Sequence, residues 1–232
     1  MNALLILIQE PITDPMGSAD SGLTPVHYQA MLEVLLQQLE GLRNTHVRFC
    51  YQPADAGEAL QFFLLPLLRG EIIKRPNDFL FTPSKNAPAI TLDFHALNLG
   101  CLGKAIEAAT ADCFSQGYEK VAIIGSDTPD CGSRWINAAM LQTKPELSAL
   151  GTSTLGFPYF FSSQSPHPGL HLSTPAPSHC CSLPLNADAI GNNTFSLPPL
   201  QQILTIEDWE RAMDSAIGGK LKAAYKRQKD NT

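Results

Sequence analysis

The chain has 232 residues, a formal net charge of −6, and 44% hydrophobic against 16% charged residues. That length supports one sizeable core, and the composition is that of a globular protein with a lightly charged surface. The acidic balance argues against a nucleic-acid backbone as the main partner. In chain order, residues 3–8 read as a buried first strand. The apolar run from Met1 stops at Gln9-Glu10-Pro11, has no basic flank, and is far too short to span a membrane. Residues 10–24 carry Pro11, Pro15, Gly17 and Gly22 and read as a loop.

Residues 25–42 predict an amphipathic helix, with Thr24 as N-cap and Pro25 in the first turn. Residues 46–51 predict a strand whose parity sets Val47, Phe49 and Tyr51 on one face and Arg48 and Cys50 on the other. A very apolar helix follows over 54–68, disturbed near its end by Pro66. Residues 70–88 are irregular, 89–94 predict a third strand, and 100–116 a helix. His27 and His46 read as surface or edge histidines.

The chemistry concentrates in Val121-Ala122-Ile123-Ile124-Gly125-Ser126-Asp127-Thr128-Pro129-Asp130. Four apolar residues, three of them β-branched, predict an inner strand of a parallel sheet. Gly125 then allows the chain to turn. Ser126 and Asp127 fall just past the strand's carboxyl end, where open α/β sheets place their ligands. A carboxylate there can hold Mg²⁺ or Mn²⁺ bridging nucleotide phosphates. The alternative is that Asp127 and Asp130 only cap a turn and the helix expected over 133–142. Asp127 is expected to face an open cleft, and Asp130 to cap the helix.

Residues 117–130 resemble the signature of a bacterial glycosyltransferase-A-like family, labelled a domain of unknown function or a selenodomain-associated transferase. It belongs to the nucleotide-diphospho-sugar transferase superfamily. The resemblance extends weakly to about Trp209 and implies a nucleotide or nucleotide-sugar partner. It also places Gly100 and Gly103, with Ser126 and Asp127, around the nucleotide, and makes Asp127 the candidate Mg²⁺ or Mn²⁺ ligand.

This chain departs from the family at most polar positions. The loop after the first strand has Asp14 and Asp20 where a Lys-Thr-Arg-Leu-like cluster is usual. The Gly-Asp-Leu-Gly-x-Arg corner is Gly100-Cys101-Leu102-Gly103-Lys104-Ala105. Leu155 replaces an Asp ahead of a strand expected at 159–162, and Gln202 and Leu204 replace two acids before Thr205-Ile206-Glu207-Asp208. Thr205 is expected to cap a last helix over 206–225, whose basic tail suits a helix C-terminus.

Residues 162–199 are rich in Ser, Pro and Asn and read as irregular. His167, His171 and His179 lie there, but Pro168, Pro175 and Pro177 prevent one helix from aligning them as metal ligands. The six cysteines (50, 101, 113, 131, 180 and 181) form no C-x-x-C pair, and predict reduced thiols in a cytoplasmic protein. No G-x-G-x-x-G follows a predicted strand, which removes a dinucleotide-dependent oxidoreductase. The alternation predicts a single domain over 1–232, a three-layer α/β/α sandwich with a mainly parallel central sheet. Two functions remain: a divergent metal-dependent glycosyl or nucleotidyl transferase, and a catalytically silent member serving as a binding or assembly module with a protein partner.

Overall fold

A computed structural model describes residues 1–9, 21–68, 92–97, 102–166, 183, 185, 190 and 193–230. The apolar runs found in sequence become the inner strands of a seven-stranded sheet. The strands are β1 (Asn2–Gln9), β2 (Thr45–Gln52), β3 (Leu92–Ala96), β4 (Val121–Gly125), β5 (Ser148–Thr152), β6 (Pro158–Ser163) and β7 (Thr194–Leu197). Their order is β3-β2-β1-β4-β6-β5-β7. β1 pairs in parallel with both β2 and β4, and β2 with β3, while β6 runs antiparallel to its neighbours β4 and β5. β7 closes the sheet parallel to β5.

Side-chain alternation builds a core on each face of this sheet. Leu4, Ile6 and Ile8 of β1, with Ala122 and Ile124 of β4, join the larger core. That face is covered by helices α1 (Pro25–Gln38), α2 (Gly57–Leu68), α4 (Ser133–Gln142), α5 (Ile206–Met213) and α6 (Gly218–Asp230). Ala3, Leu5 and Leu7, with Val121 and Ile123, face the other way, onto α3 (Leu102–Ser115). The predicted sandwich and the inner position of residues 121–125 are therefore observed. Tyr159, Phe160 and Phe161 of β6 are all fully buried, each aromatic contributing roughly 1.5–3 kcal/mol through removal from water.

Several expectations need correction. The last helix is two: Ser215 Oγ donates to Ala212 O at 2.7 Å, and the chain breaks before Gly218, where a side chain would collide with Met213 O. α1 ends four residues earlier than expected, and the expected start of β3 at 89–91 lies outside the described residues. β5 was not anticipated, because Gly151 weakens its strand signal; the glycine is there because the Tyr159 ring occupies the space of a side chain. β7 lies inside the stretch expected to be irregular, and Leu183, Leu185 and Ile190 of that stretch are buried against the α3 face. Its three histidines and Cys180-Cys181, and the loop 10–20 and the stretch 70–88, lie outside the described residues.

Neither His27 nor the basic tail is merely solvated. His27 is buried at the start of α1, where its Nδ1 accepts from Thr24 N at 2.9 Å and completes a capping box with Thr24. Its ring sits 4.8 Å from those of Trp209 and Tyr225, which ties α1 to α5 and α6. In the tail, Arg227 pairs with the fully buried Glu33 of α1, and Gln228 Nε2 donates to Glu33 Oε2 at 2.6 Å. A buried carboxylate needs such donors, since stripping one away leaves an uncompensated charge.

Candidate functional site

The sheet order creates the place where a ligand would bind. From β1 the chain winds outward through β2 to β3, then returns to β4 on the other side of β1. The carboxyl ends of β1 and β4 thus form a switch point, the usual binding crevice of open α/β sheets. Ser126 N continues the ladder by donating to Leu7 O at 3.1 Å, and the chain turns at Asp127. Sequence placed Ser126 and Asp127 at this point, and the structure does too.

The environment of Asp127 is not the one expected. Its side chain is 0% exposed, as is that of Thr128. Asp127 Oδ2 accepts from Gln202 Nε2 at 2.7 Å, and Oδ1 from Thr128 Oγ1 at 3.1 Å. Its carbonyl also accepts from Ile203 N at 2.9 Å. The open, solvent-facing carboxylate is corrected to a buried one. The cause is the segment 198–205, which crosses over the carboxyl end of β4 and which sequence placed only as a lead-in to a helix.

That segment acts as a strap, held by hydrogen bonds and by two buried side chains. Tyr159 Oη donates to Pro198 O at 2.7 Å, and Thr154 N to Leu200 O at 3.0 Å. Leu200 and Ile203 bury their side chains in the larger core. The far end is fixed by the cap of α5: Asp208 N donates to Thr205 Oγ1 at 3.3 Å, while Asp208 Oδ2 accepts from Leu204 N at 3.1 Å and Thr205 N at 3.0 Å. The expected capping role of Thr205 is observed. Gln202, itself fully buried, is thereby held against Asp127.

Asp130 also differs from expectation. The N-cap of α4 is Gly132, without a side-chain cap. The glycine is required because an added Cβ would come within 2.7 Å of Gln38 O at the end of α1. Asp130 is half-buried and accepts from Gln38 Nε2 at 3.4 Å. Burial raises its pKa, with Lys220 opposing. Beside it, the buried Cys131 thiol is pushed up by burial, and by Asp130 and Asp127, so it stays protonated.

A divalent cation does not fit this arrangement. Both Asp127 oxygens already face neutral donors, and the nearest strap side chain presents an N–H where a second oxygen ligand would be needed. Leu204, two residues further along the strap, is buried and its side chain carries no ligand atom. Among the described residues, no group of three or more His, Cys, Asp or Glu could hold a metal ion. Leu155 is exposed on the turn between β5 and β6 and supplies no carboxylate. Gly103 is buried in the first turn of α3, on the opposite layer from the strap, and Gly100 lies outside the described residues.

A second polar cluster lies across the sheet. Arg48, almost fully buried, bonds Asp93 through Nη2 at 2.9 Å and Asp112 through Nη1 at 2.6 Å. The Arg48 hydrogen bond holds the Asp112 carboxyl below its ordinary pKa. His46 Nδ1 and Tyr118 Oη are 2.5 Å apart beside it, so His46 is a bridging residue and not a simple edge histidine. Burial pushes the neighbouring Cys113 thiol up to about 11. The cluster ties β2 and β3 to α3 and leaves no group poised for chemistry. Strand parity had put Arg48 on this face. In the sequence, Gln202 stands out only through the family resemblance, which leads one to expect an acid there.

No protein-family model matches this chain, and no curated protein matches it. Solved structures do. The backbone is similar to that of a candidate nucleotide-diphospho-sugar transferase from Desulfovibrio desulfuricans, with a TM-score of 0.66 at 18% identity, over 100% of this chain and 96% of that one. It is also similar to a cytidylyltransferase from Leptospira borgpetersenii, with a TM-score of 0.55 at 13% identity, over 100% and 95% of the two chains. No helix among the described residues is long and apolar enough to cross a membrane. At such identities the likeness establishes architecture alone: the chain has the transferase-like fold of nucleotide-diphospho-sugar transferases and nucleotidyltransferases.

Proposed function

We propose that this chain is a divergent nucleotide-diphospho-sugar transferase-like protein that has lost metal-dependent transfer and works as a binding module. The observation that carries this reading is the 2.7 Å bond from Gln202 Nε2 to Asp127 Oδ2, made between two fully buried side chains. A metal-assisted transfer needs oxygen ligands open to the donor's phosphates and a positive counter-charge for the transition state. Here the strap offers an amide N–H, and the loop after β1 carries Asp14 and Asp20 in place of cations. Ser126 and Gly103, with Gly100, would then shape a crevice around a nucleotide-like ligand without performing chemistry on it.

Isothermal titration with a panel of nucleoside triphosphates and nucleotide sugars, each with and without Mn²⁺, tests this reading. The expected result is that Mn²⁺ strengthens no binding, and that Asp127→Asn leaves any binding unchanged. Mn²⁺-dependent binding of one nucleotide, abolished by Asp127→Asn, would overturn it in favour of an active transferase with its ion at Asp127.

A further inference from the structure

We infer that the outward face of α6 is a docking surface for an acidic segment of a protein partner. Residues 218–230 hold five of the chain's 16 cations (Lys220, Lys222, Lys226, Arg227 and Lys229) and one of its 22 acids. The remainder therefore has 11 cations against 21 acids, a formal −10. Two of the five are engaged with α1: Arg227 is committed to Glu33, and Lys220 Nζ donates to Gln38 Oε1 at 3.1 Å. Leu221, Ala224 and Gln228 are buried.

The other three, Lys222, Lys226 and Lys229, are exposed and follow one another at four and three residues. They share a face and form a stripe about 10 Å long, at a rise of about 1.5 Å per residue. Among the described residues no carboxylate pairs with any of them. The helix dipole explains cations in the last turn, but Lys222 sits nearer the start, where acids are favoured and none is present.

The charge distribution also selects the partner. A membrane surface or a nucleic acid is an extended polyanion and would meet the acidic remainder of the molecule along with the stripe. A short acidic segment meets only the stripe, since charges more than about 8 Å away are largely screened at physiological salt. The outward face has no large apolar side chain to enter a bilayer: its exposed residues are Lys222, Ala223, Lys226, Lys229 and, at the last position, Asp230. This inference does not depend on whether the crevice at Asp127 is active.

The test is fluorescence anisotropy of the full chain with a fluorescein-labelled peptide of alternating Glu and Ala, about 14 residues long, which spaces its carboxylates roughly 7 Å apart when extended. The variant Lys222→Gln/Lys226→Gln/Lys229→Gln is compared with Lys104→Gln/Arg134→Gln/Lys144→Gln, which removes the same charge at exposed positions elsewhere. At about 50 mM salt the α6 variant should bind at least about tenfold more weakly than wild type, and the control variant within about twofold. Wild-type binding should weaken several-fold at about 300 mM salt. Absence of binding at low salt, equal losses in both variants, or tighter binding to phosphatidylserine vesicles or a single-stranded oligonucleotide would overturn the proposal. Circular dichroism of both variants confirms that the comparison is between folded proteins.

Discussion

Gln202→Glu is the sharpest probe of the strap, because it changes one NH₂ to an oxygen without changing size. The Nε2 position lies 2.7 Å from Asp127 Oδ2, so the substitution sets two carboxyl groups about 4 Å apart, centre to centre. Two like charges at that distance repel by about 4 kcal/mol at an effective dielectric constant near 20. Protonating one of them caps the penalty. Holding a glutamic acid with an ordinary pKa near 4.3 protonated at pH 7 costs roughly 3.7 kcal/mol, at 1.36 kcal/mol per unit. The two routes agree, so the variant should lose about 3–4 kcal/mol at pH 7. Once protonated, its O–H donates to Asp127 as the amide did.

The pH dependence has a definite sign. The folded pKa of the new acid is raised, so the folded state binds more protons than the unfolded one, and stability falls as pH rises. At pH 5 the deficit should shrink to about 1 kcal/mol by the same arithmetic. Urea denaturation of wild type and variant at both pH values measures it. Millimolar Mn²⁺ should also restore stability at pH 7 by binding the folded state alone. A variant as stable as wild type at pH 7, or one whose deficit does not change with pH, would show that Gln202 and Asp127 do not share a buried contact.

The two carboxylates of the turn should respond differently to truncation. Asp127→Ala leaves the buried Gln202 amide and Thr128 hydroxyl without their acceptor and should cost about 2–4 kcal/mol, while Asp130→Ala should stay within about 0.5 kcal/mol. Equal losses by thermal denaturation would refute this ordering. Burial lowers the pKa of His27, so the folded state favours the neutral ring; stability should be complete above the ordinary value of 6.5 and decline as pH falls below it. His27→Gln keeps a capping-box side chain without a titrating group, so its urea midpoint should fall less than that of wild type from pH 7 to pH 5. Parallel profiles would remove His27 from the account.

Much of the frame was legible because it follows from short-range periodicity. Short apolar runs such as residues 3–8 and 121–124 read as inner strands, and the Thr24 and Thr205 caps are local devices of three or four residues. What escaped is long-range. Asp127 and Gln202 are 75 positions apart, and nothing near either residue announces that the strap will lie across the turn. Asp127 was therefore judged by its position at a strand end, which exposes a side chain unless another segment covers it. Asp130 was misjudged for the converse reason: the spacing to α4 suits a cap, but the approach of the α1 carboxyl end calls for Gly132 in that place. His27 looked like a surface residue because Trp209 and Tyr225, which enclose it, arrive from the end of the chain.

An amide rather than a carboxylate at residue 202 decides how the strap is held. With an acid on the strap facing Asp127, closure over β4 would require a proton or a cation between the two groups, and would depend on pH or on a bound ion. With Gln202, the same closure is satisfied by a neutral donor at every pH at which Asp127 is charged. Tyr159 on Pro198, Thr154 on Leu200 and the Thr205 cap hold the strap on either side, so the amide completes a set of bonds that no ligand has to supply. A contact that would be conditional between two acids is thus permanent here. That permanence is why placing an acid at this single position is the experiment with the largest expected effect.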